Sequence, residues 1–170
     1  MRVHCVFGIL ALAAFAASAA GRAVEHWPYD RLFEEADVVV IAAAQETAAS
    51  DDAAPDGRWR ESLVGQRTTF AVIKPLKGQL DDGPVTVVHF KLKDGVVSQN
   101  GPLLVAFRTK GPTIRGGERV KYNVMLGTPQ YLLFLKRTDG GRFEPVSGQF
   151  DPALSVKEIY APLPAVIDER

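Results

Sequence analysis

Segments whose apolar side chains recur at every second residue dominate the chain and predict a fold made mainly of β-strands. Segment 84–95 alternates in this way, which predicts one buried face and one face in water. The apolar face holds Val88, Phe90 and Leu92, and the polar face holds His89, Lys91 and Lys93. Four further strands are predicted, at 36–45, 67–78, 102–109 and 130–137. The last two are apolar on both faces, as strands of a closed sheet require.

Two short helices are predicted at the ends of this series of strands. Segment 28–36 has a proline at its start and spaces its apolar residues along one helical face. Segment 151–160 offers Asp151 as an N-cap and Pro152 at the first helical position. The chain therefore combines a β-rich middle with one helix before it and one after it.

The stretch Thr-Asp-Gly-Gly at 138–141 joins two strand-like segments and predicts a hairpin. Asp-Gly favours a tight turn because the turn requires positive φ, which glycine adopts without steric cost. Ser147 and Gly148 follow the second strand, where small residues allow the chain to leave the sheet. Ser147 lacks the upstream glycine of a nucleophile elbow, so the stretch is interpreted as a turn and not as a catalytic site.

Residues 1–20 have the layout of a secretory signal peptide. Arg2 precedes an apolar run, and small residues at 17–19 predict cleavage after Ala19 or Ala20. Cleavage removes Cys5, the only cysteine, so residues 21–170 are expected to form a single disulfide-free β-barrel domain in the periplasm or outside the cell. The alternatives that this segment leaves open are a frayed hydrophobic N-terminus and an uncleaved anchor.

The charge balance limits the classes of partner. After removal of the predicted signal, 19 basic residues face 20 acidic ones, a net charge of −1. A general nucleic-acid binder needs a basic surplus to displace counterions, so no nucleic-acid partner is expected. The longest apolar run after the signal, 38–44, is too short to span a membrane, so no transmembrane segment is expected after cleavage.

Three motifs carry a resemblance to the netrin/TIMP-like group of domains. They are ADVVVIAAA at 36–44, TTFAVIKPLKG at 68–78 and YLLFL at 131–135. The resemblance implies a small OB-like barrel whose loops contact partners. Inhibitory members of that group use an N-terminal cysteine and several disulfides, which this chain lacks after cleavage. Metalloprotease inhibition is therefore not implied.

The chain also resembles a family of secreted bacterial proteins of unknown function that end in a pvSGQxDPxxSv segment. The matching residues are Val146–Gln149, Asp151, Pro152, Ser155 and Val156. Together, the strand pattern and these resemblances predict a mainly β fold. We expect a single small closed or partly open antiparallel barrel, OB- or netrin-like, with short N- and C-terminal helices.

No residue is predicted to act in catalysis, and neither a metal nor a cofactor is expected. His26 and His89 are far apart, and His89 is interpreted as a solvated strand residue. Segment 50–57 lacks the ligand spacing of a calcium loop, and 114–120 lacks that of a phosphate loop. Asp81 and Asp82 are interpreted as part of a turn. Acid–base work by two distant carboxylates stays open.

Two charged loops provide the binding hypothesis. Segment 46–61 has a net charge of −3, and segment 108–121 has a net charge of +4. The simplest interpretation is that both are solvated connections. The alternative is a contact surface that includes Trp59, Arg115 and Arg119, because tryptophan and arginine dominate interface energetics.

From these features the sequence predicts an exported, non-catalytic binding or interaction module of the cell envelope. Its partner is an envelope protein or an anionic ligand, such as a lipid headgroup or an acidic glycan. The alternative function is an envelope hydrolase with an unrecognised site.

Overall fold

A computed structural model describes residues 22–109, 113–115, 123–125 and 129–159. The first element of the described residues is an α-helix, α1 (Tyr29–Glu35). Eight strands follow: β1 (Val38–Ala49), β2 (Leu63–Lys77), β3 (Val85–Leu92), β4 (Thr113–Arg115), β5 (Asn123–Met125), β6 (Gln130–Arg137), β7 (Phe143–Pro145) and β8 (Val156–Ile159). Short 3-10 helices occupy Arg60–Ser62 and Pro152–Ser155. The predicted signal peptide, with Cys5, lies outside the described residues.

Five strands close into a barrel, which confirms the predicted fold class. The ring runs β1-β2-β3-β7-β6 and closes where β6 pairs with β1. All of its pairings are antiparallel except the short parallel contact between β3 and β7. Strand β8 pairs with β6 outside the ring, and β4 pairs with β5 in a separate two-stranded sheet. No helix in the described ranges is long and apolar enough to cross a membrane.

The long first strand bends to close this small ring. Its register against β2 shifts at three places: between Val39 and Val40, between Ile41 and Ala42, and between Ala44 and Glu46. Such irregularities bend a strand and increase its twist, so a 12-residue strand can pair with β2 and β6 along one curve.

Aliphatic and aromatic side chains fill the interior of the barrel. The largest cluster includes Val38, Val40, Ala42, Phe70, Val85, Val87, Phe107, Tyr131, Leu133 and Leu135. At its centre, Phe107 meets Phe70 at 4.8 Å and Tyr131 at 5.2 Å between ring centroids, both edge to face. Perpendicular aromatic pairs of this kind stabilise the fold by more than the burial of their apolar area alone.

The segment that supplies Phe107 is not a strand, so the prediction for 102–109 was wrong. Single contacts hold it instead of a ladder: the Leu103 amide donates to the Asp151 carboxylate at 3.1 Å, and the Arg108 amide donates to the Tyr131 hydroxyl at 2.7 Å. Its apolar residues are therefore explained by Phe107, which enters the barrel, and by Leu104, which packs outside it.

The prediction that His89 faces water was also wrong. Strand β3 is buried on both faces from Val87 to Phe90. His89 shares its face with Val85 and Val87, which point into the barrel core, and none of its surface is exposed. The opposite face belongs to a second cluster under the loop that follows β1.

The C-terminal end departs from the predicted α-helix. One 3-10 turn forms at Pro152–Ser155, and the chain then continues as β8. Asp151 does not cap the turn, because its carboxylate accepts hydrogen bonds from Arg22 and from the Leu103 amide instead. Val156 pairs with Leu133, so the next residues extend the sheet.

Both the N-terminal helix and the hairpin are confirmed. Helix α1 buries Leu32 against Phe134 on the outside of the barrel. The hairpin between β6 and β7 turns at Gly140 and Gly141, whose φ values are 77° and 72°. These values lie in the left-handed region that favours glycine, as the sequence predicts.

Candidate functional site on the loop between β1 and β2

The loop between β1 and β2 folds back over the outer face of β3. Ala54 and Trp59, from this loop, pack on the cluster of Leu63, Val88 and Phe90. The acidic segment that the sequence interprets as a solvated connection is therefore partly a cover for one side of the barrel. Two clefts border this cover.

Asp52 attaches the loop to the barrel. Its carboxylate accepts hydrogen bonds from Arg67 Nε at 2.6 Å, from Arg142 Nη1 at 2.5 Å and from Ser50 Oγ at 2.8 Å. Its side chain is 15% exposed. The hydrogen bond from Arg67 is the main reason why the pKa of Asp52 lies well below its usual range. One carboxylate thus joins the loop to β2 and to the start of β7.

We expect Asp52→Asn to lower the free energy of unfolding by about 1 to 2 kcal/mol. The asparagine amide has the shape of the carboxylate but loses the charge-assisted hydrogen bonds from Arg67 and Arg142. Both arginines are partly exposed, so solvent screening reduces the loss of stability. The matched control is Asp56→Asn, on the same loop, where the carboxylate pairs with Arg60 but is 89% exposed. Urea unfolding at neutral pH gives both values, and equal losses in the two variants would contradict an anchoring role for Asp52.

On one flank of the loop lies an open pocket of about 600 Å³, called here the Trp59 pocket. Its lining residues are Arg22, Gly57, Arg58, Trp59, Gln99, Asn100 and Phe150. Gly57 has a φ of 136°, and a Cβ at this position would come within 3.0 Å of the Phe150 ring. Glycine therefore allows the loop to pass close to the aromatic wall of the pocket.

The two arginines of the Trp59 pocket differ in whether a described carboxylate pairs with them. The guanidinium of Arg22 donates to the Asp151 carboxylate at 2.8 Å and to the Gly101 carbonyl at 3.3 Å. Arg58 lies 5.1 Å from the centroid of the Trp59 ring and pairs with no carboxylate of the described residues. The pocket therefore carries one uncompensated positive charge beside an aromatic ring.

The structure places only one of the three predicted binding residues in a described environment. Trp59 is half-buried in the wall of its pocket. Arg115 ends strand β4, where the backbone alone is described, and Arg119 lies outside the described residues. The proximity of the three side chains stays a prediction.

On the other flank of the loop is a smaller cleft of about 240 Å³, which the sequence did not predict. It lies between the loop and the β6–β7 hairpin and is lined by Asp52, Ala53, Pro55, Val88, Phe90, Thr138, Arg142, Glu144 and Gln149. The Gln149 amide donates to the Val88 carbonyl at 3.0 Å, which fixes the wall of the cleft. Positions 52, 138 and 149 are brought together only by the tertiary fold, so no local pattern could have indicated the cleft.

The SGQxDPxxS segment has a structural role that explains several of its polar residues. Ser147 Oγ donates to the Asp151 carbonyl at 2.8 Å, and the Ser147 amide donates to Ser155 Oγ at 2.8 Å. Asp151 in turn holds Arg22 and the amide of Leu103. The segment therefore closes its own turn and connects it to two distant parts of the chain.

One buried imidazole inside the barrel lies next to the buried hydroxyl of Thr68, which in turn contacts the exposed Thr47. His89 Nε2 is 2.8 Å from Thr68 Oγ1, which is 2.7 Å from Thr47 Oγ1. Burial lowers the pKa of His89 to about 4, and its Nδ1 has no hydrogen-bond partner in the part of the chain that the structure describes. A hydroxyl nucleophile needs access to substrate and an oriented base. Thr68 is fully buried and no carboxylate of the described residues contacts His89, so the described pair does not form such a unit.

A metal centre is also not evident in the described ranges, which contain no group of three or more metal-ligating side chains. The strongest candidate site is therefore the Trp59 pocket. It combines two aromatic residues, an uncompensated cation and two side-chain amides. No protein-family model, no curated protein and no solved structure matches this chain.

Proposed function

We propose that the protein is an exported, non-catalytic binding module of the cell envelope and that the Trp59 pocket is its contact surface. The main support is the combination of Trp59 with Arg58, which has no carboxylate partner among the described residues. Aromatic side chains and arginines are the residue types that most often anchor an interface.

The charge of the pocket indicates an anionic partner. Asp151 compensates Arg22, so Arg58 is left as the charge that a ligand can neutralise. Arg115 and Arg119 belong to a segment of net charge +4 and are expected to add to the same surface. Exposed cations of this kind accelerate association and lose influence at high salt.

We expect Arg58→Glu, and separately Arg115→Glu with Arg119→Glu, to weaken capture of the partner from an envelope extract. Each change reverses a charge that the proposal assigns to the contact. Trp59→Ala should weaken it further, since a buried tryptophan anchor contributes about 2 kcal/mol or more. Binding to the purified partner at low and at high salt measures both effects.

Arg60→Glu is the matched control, because Arg60 neighbours the pocket but is exposed and paired with Asp56. Trp59 also packs on the barrel, so the thermal midpoint of Trp59→Ala must be measured beside its binding. Full retention of the partner by all three test variants would show that these loops are only solvated connections.

A further inference from the structure

The Trp59 pocket contains hydrogen-bonding groups that nothing else in the described residues uses. The side-chain amides of Gln99 and Asn100 line the pocket, are exposed, and form no hydrogen bond with any described residue. Each amide can donate and accept at the same time. Two adjacent amides of this kind match the neighbouring hydroxyl groups of a sugar ring, which also donate and accept.

Asn100, which carries one of these amides, has an uncommon backbone conformation. Its φ is 55°, the single positive φ of a non-glycine residue in the described ranges. Asparagine tolerates this region better than most residues, but glycine would adopt it at lower cost. Asn100→Gly would therefore remove the side-chain amide without straining the backbone.

The turn that carries the two amides lies against Trp59. A Cβ at Gly101 would be 3.8 Å from Trp59 Cζ2, so the turn and the indole are neighbours. Phe150 forms another part of the wall. Aromatic rings beside amides offer an apolar surface for the C–H face of a sugar and polar groups for its hydroxyls.

The charge of the lining selects among sugars. Arg22 and Asp151 form an ion pair, so Arg58 leaves a net charge of one positive unit at the pocket. A guanidinium matches the planar geometry of a carboxylate. One uronic acid carboxylate can neutralise Arg58, whereas a phosphate without a sugar ring would leave the amides of Gln99 and Asn100 unused.

We infer that the Trp59 pocket binds an acidic saccharide, with a uronic acid carboxylate at Arg58 and ring hydroxyls at Gln99 and Asn100. This inference rests on the proposed binding function and names the ligand class. The volume of about 600 Å³ is in the range of small-ligand pockets and suits a short segment of a longer glycan.

The test uses digalacturonate, with maltose as its neutral two-ring counterpart and inorganic phosphate as a small anion without a sugar ring. Binding to the exported protein is followed by NMR, through the side-chain amides of Gln99 and Asn100 and the Trp59 indole. We expect saturable shifts at these groups with digalacturonate, and binding of maltose and of phosphate that is weaker by about tenfold.

Two variants test the assigned contacts. Asn100→Gly keeps the backbone conformation but removes the side-chain amide, and should weaken the binding of digalacturonate by about fivefold. Arg58→Gln keeps the length but removes the charge, and should reduce the preference for digalacturonate over maltose. Gln79→Ala, at an exposed glutamine outside the pocket, is the control and should bind as the wild type does.

Equal binding of maltose and digalacturonate, tighter binding of phosphate, or unchanged binding by both variants would overturn the inference. Its failure is distinguishable from that of the proposed function. If Trp59→Ala loses the envelope partner while digalacturonate does not bind to the wild type, the pocket is a contact surface for another ligand class. If digalacturonate binds as expected but Trp59→Ala keeps the envelope partner, the pocket is a saccharide site and the partner docks elsewhere.

Discussion

Phe107→Ala is expected to lower the free energy of unfolding by about 3 to 5 kcal/mol. The phenyl ring is buried in the barrel centre, where it makes edge-to-face contacts with Phe70, Tyr131 and His89. Its removal leaves a cavity that the closed ring of strands cannot easily collapse to fill. The loss is a large part of the stability of a typical domain, so partial unfolding at moderate temperature is expected.

The control for this variant is Leu103→Ala, in the same non-strand segment. Leu103 is 41% exposed, so its truncation should change stability by less than about 0.5 kcal/mol. Urea unfolding monitored by circular dichroism measures both. A loss below about 1 kcal/mol for Phe107→Ala would show that the stability of the barrel does not depend on the phenyl group of Phe107.

Local patterns predicted those parts of the fold that local physics determines. The hairpin at 138–141 follows from the φ values that only glycine adopts cheaply. Strands β1 and β6 follow from continuous apolar runs that need burial on both faces. The mainly β fold class could therefore be predicted from one sequence.

Tertiary contacts explain what the sequence did not predict. On β3, Val87 and Val88 give each face an apolar residue, so alternation alone could not identify the inner face. The β1–β2 loop then covers the outer face, and His89 is left on the inner one. Asp151 is a second case in which a tertiary contact overrides the local pattern. Its carboxylate, which was expected to cap a helix, accepts a hydrogen bond from Arg22 instead.

The candidate site was predictable only in part. Trp59 stood out because a large aromatic residue in a polar connection is costly to expose. Gln99 and Asn100 gave no signal, since amides in a turn are ordinarily explained by the turn itself. Their place beside Trp59 depends on how the segment after β3 packs against the β1–β2 loop.

Acid is expected to destabilise the protein through His89 at a higher pH than through Asp52 and Asp151. Burial lowers the pKa of His89 from 6.5 to about 4 in the folded state. Between these two pKa values the unfolded chain binds a proton that the folded protein excludes, so stability falls as the pH falls. The full difference corresponds to about 3 kcal/mol, and most of it is lost by about pH 4.5.

This range of pH separates His89 from the anchoring carboxylates. Asp52 and Asp151 have pKa values lowered below the ordinary 3.8 by their arginine partners, so they contribute stability that is lost only at still lower pH. A decrease between about pH 7 and pH 4.5 therefore reports mainly on histidine. Exposed His26 provides the matched control for the buried residue.

The measurement compares the free energy of urea unfolding at about pH 7 and pH 4.5 in wild type, His89→Gln and His26→Gln. We expect the wild type and His26→Gln to lose about 2 to 3 kcal/mol, and His89→Gln to lose little. His89→Gln is less stable at neutral pH because it disturbs the contact with Thr68, so the pH difference within each variant is the quantity compared. An equal loss in His89→Gln and wild type would show that another group binds the proton. An NMR titration of the His89 ring with a midpoint near 6.5 would show instead that water reaches the imidazole inside the barrel.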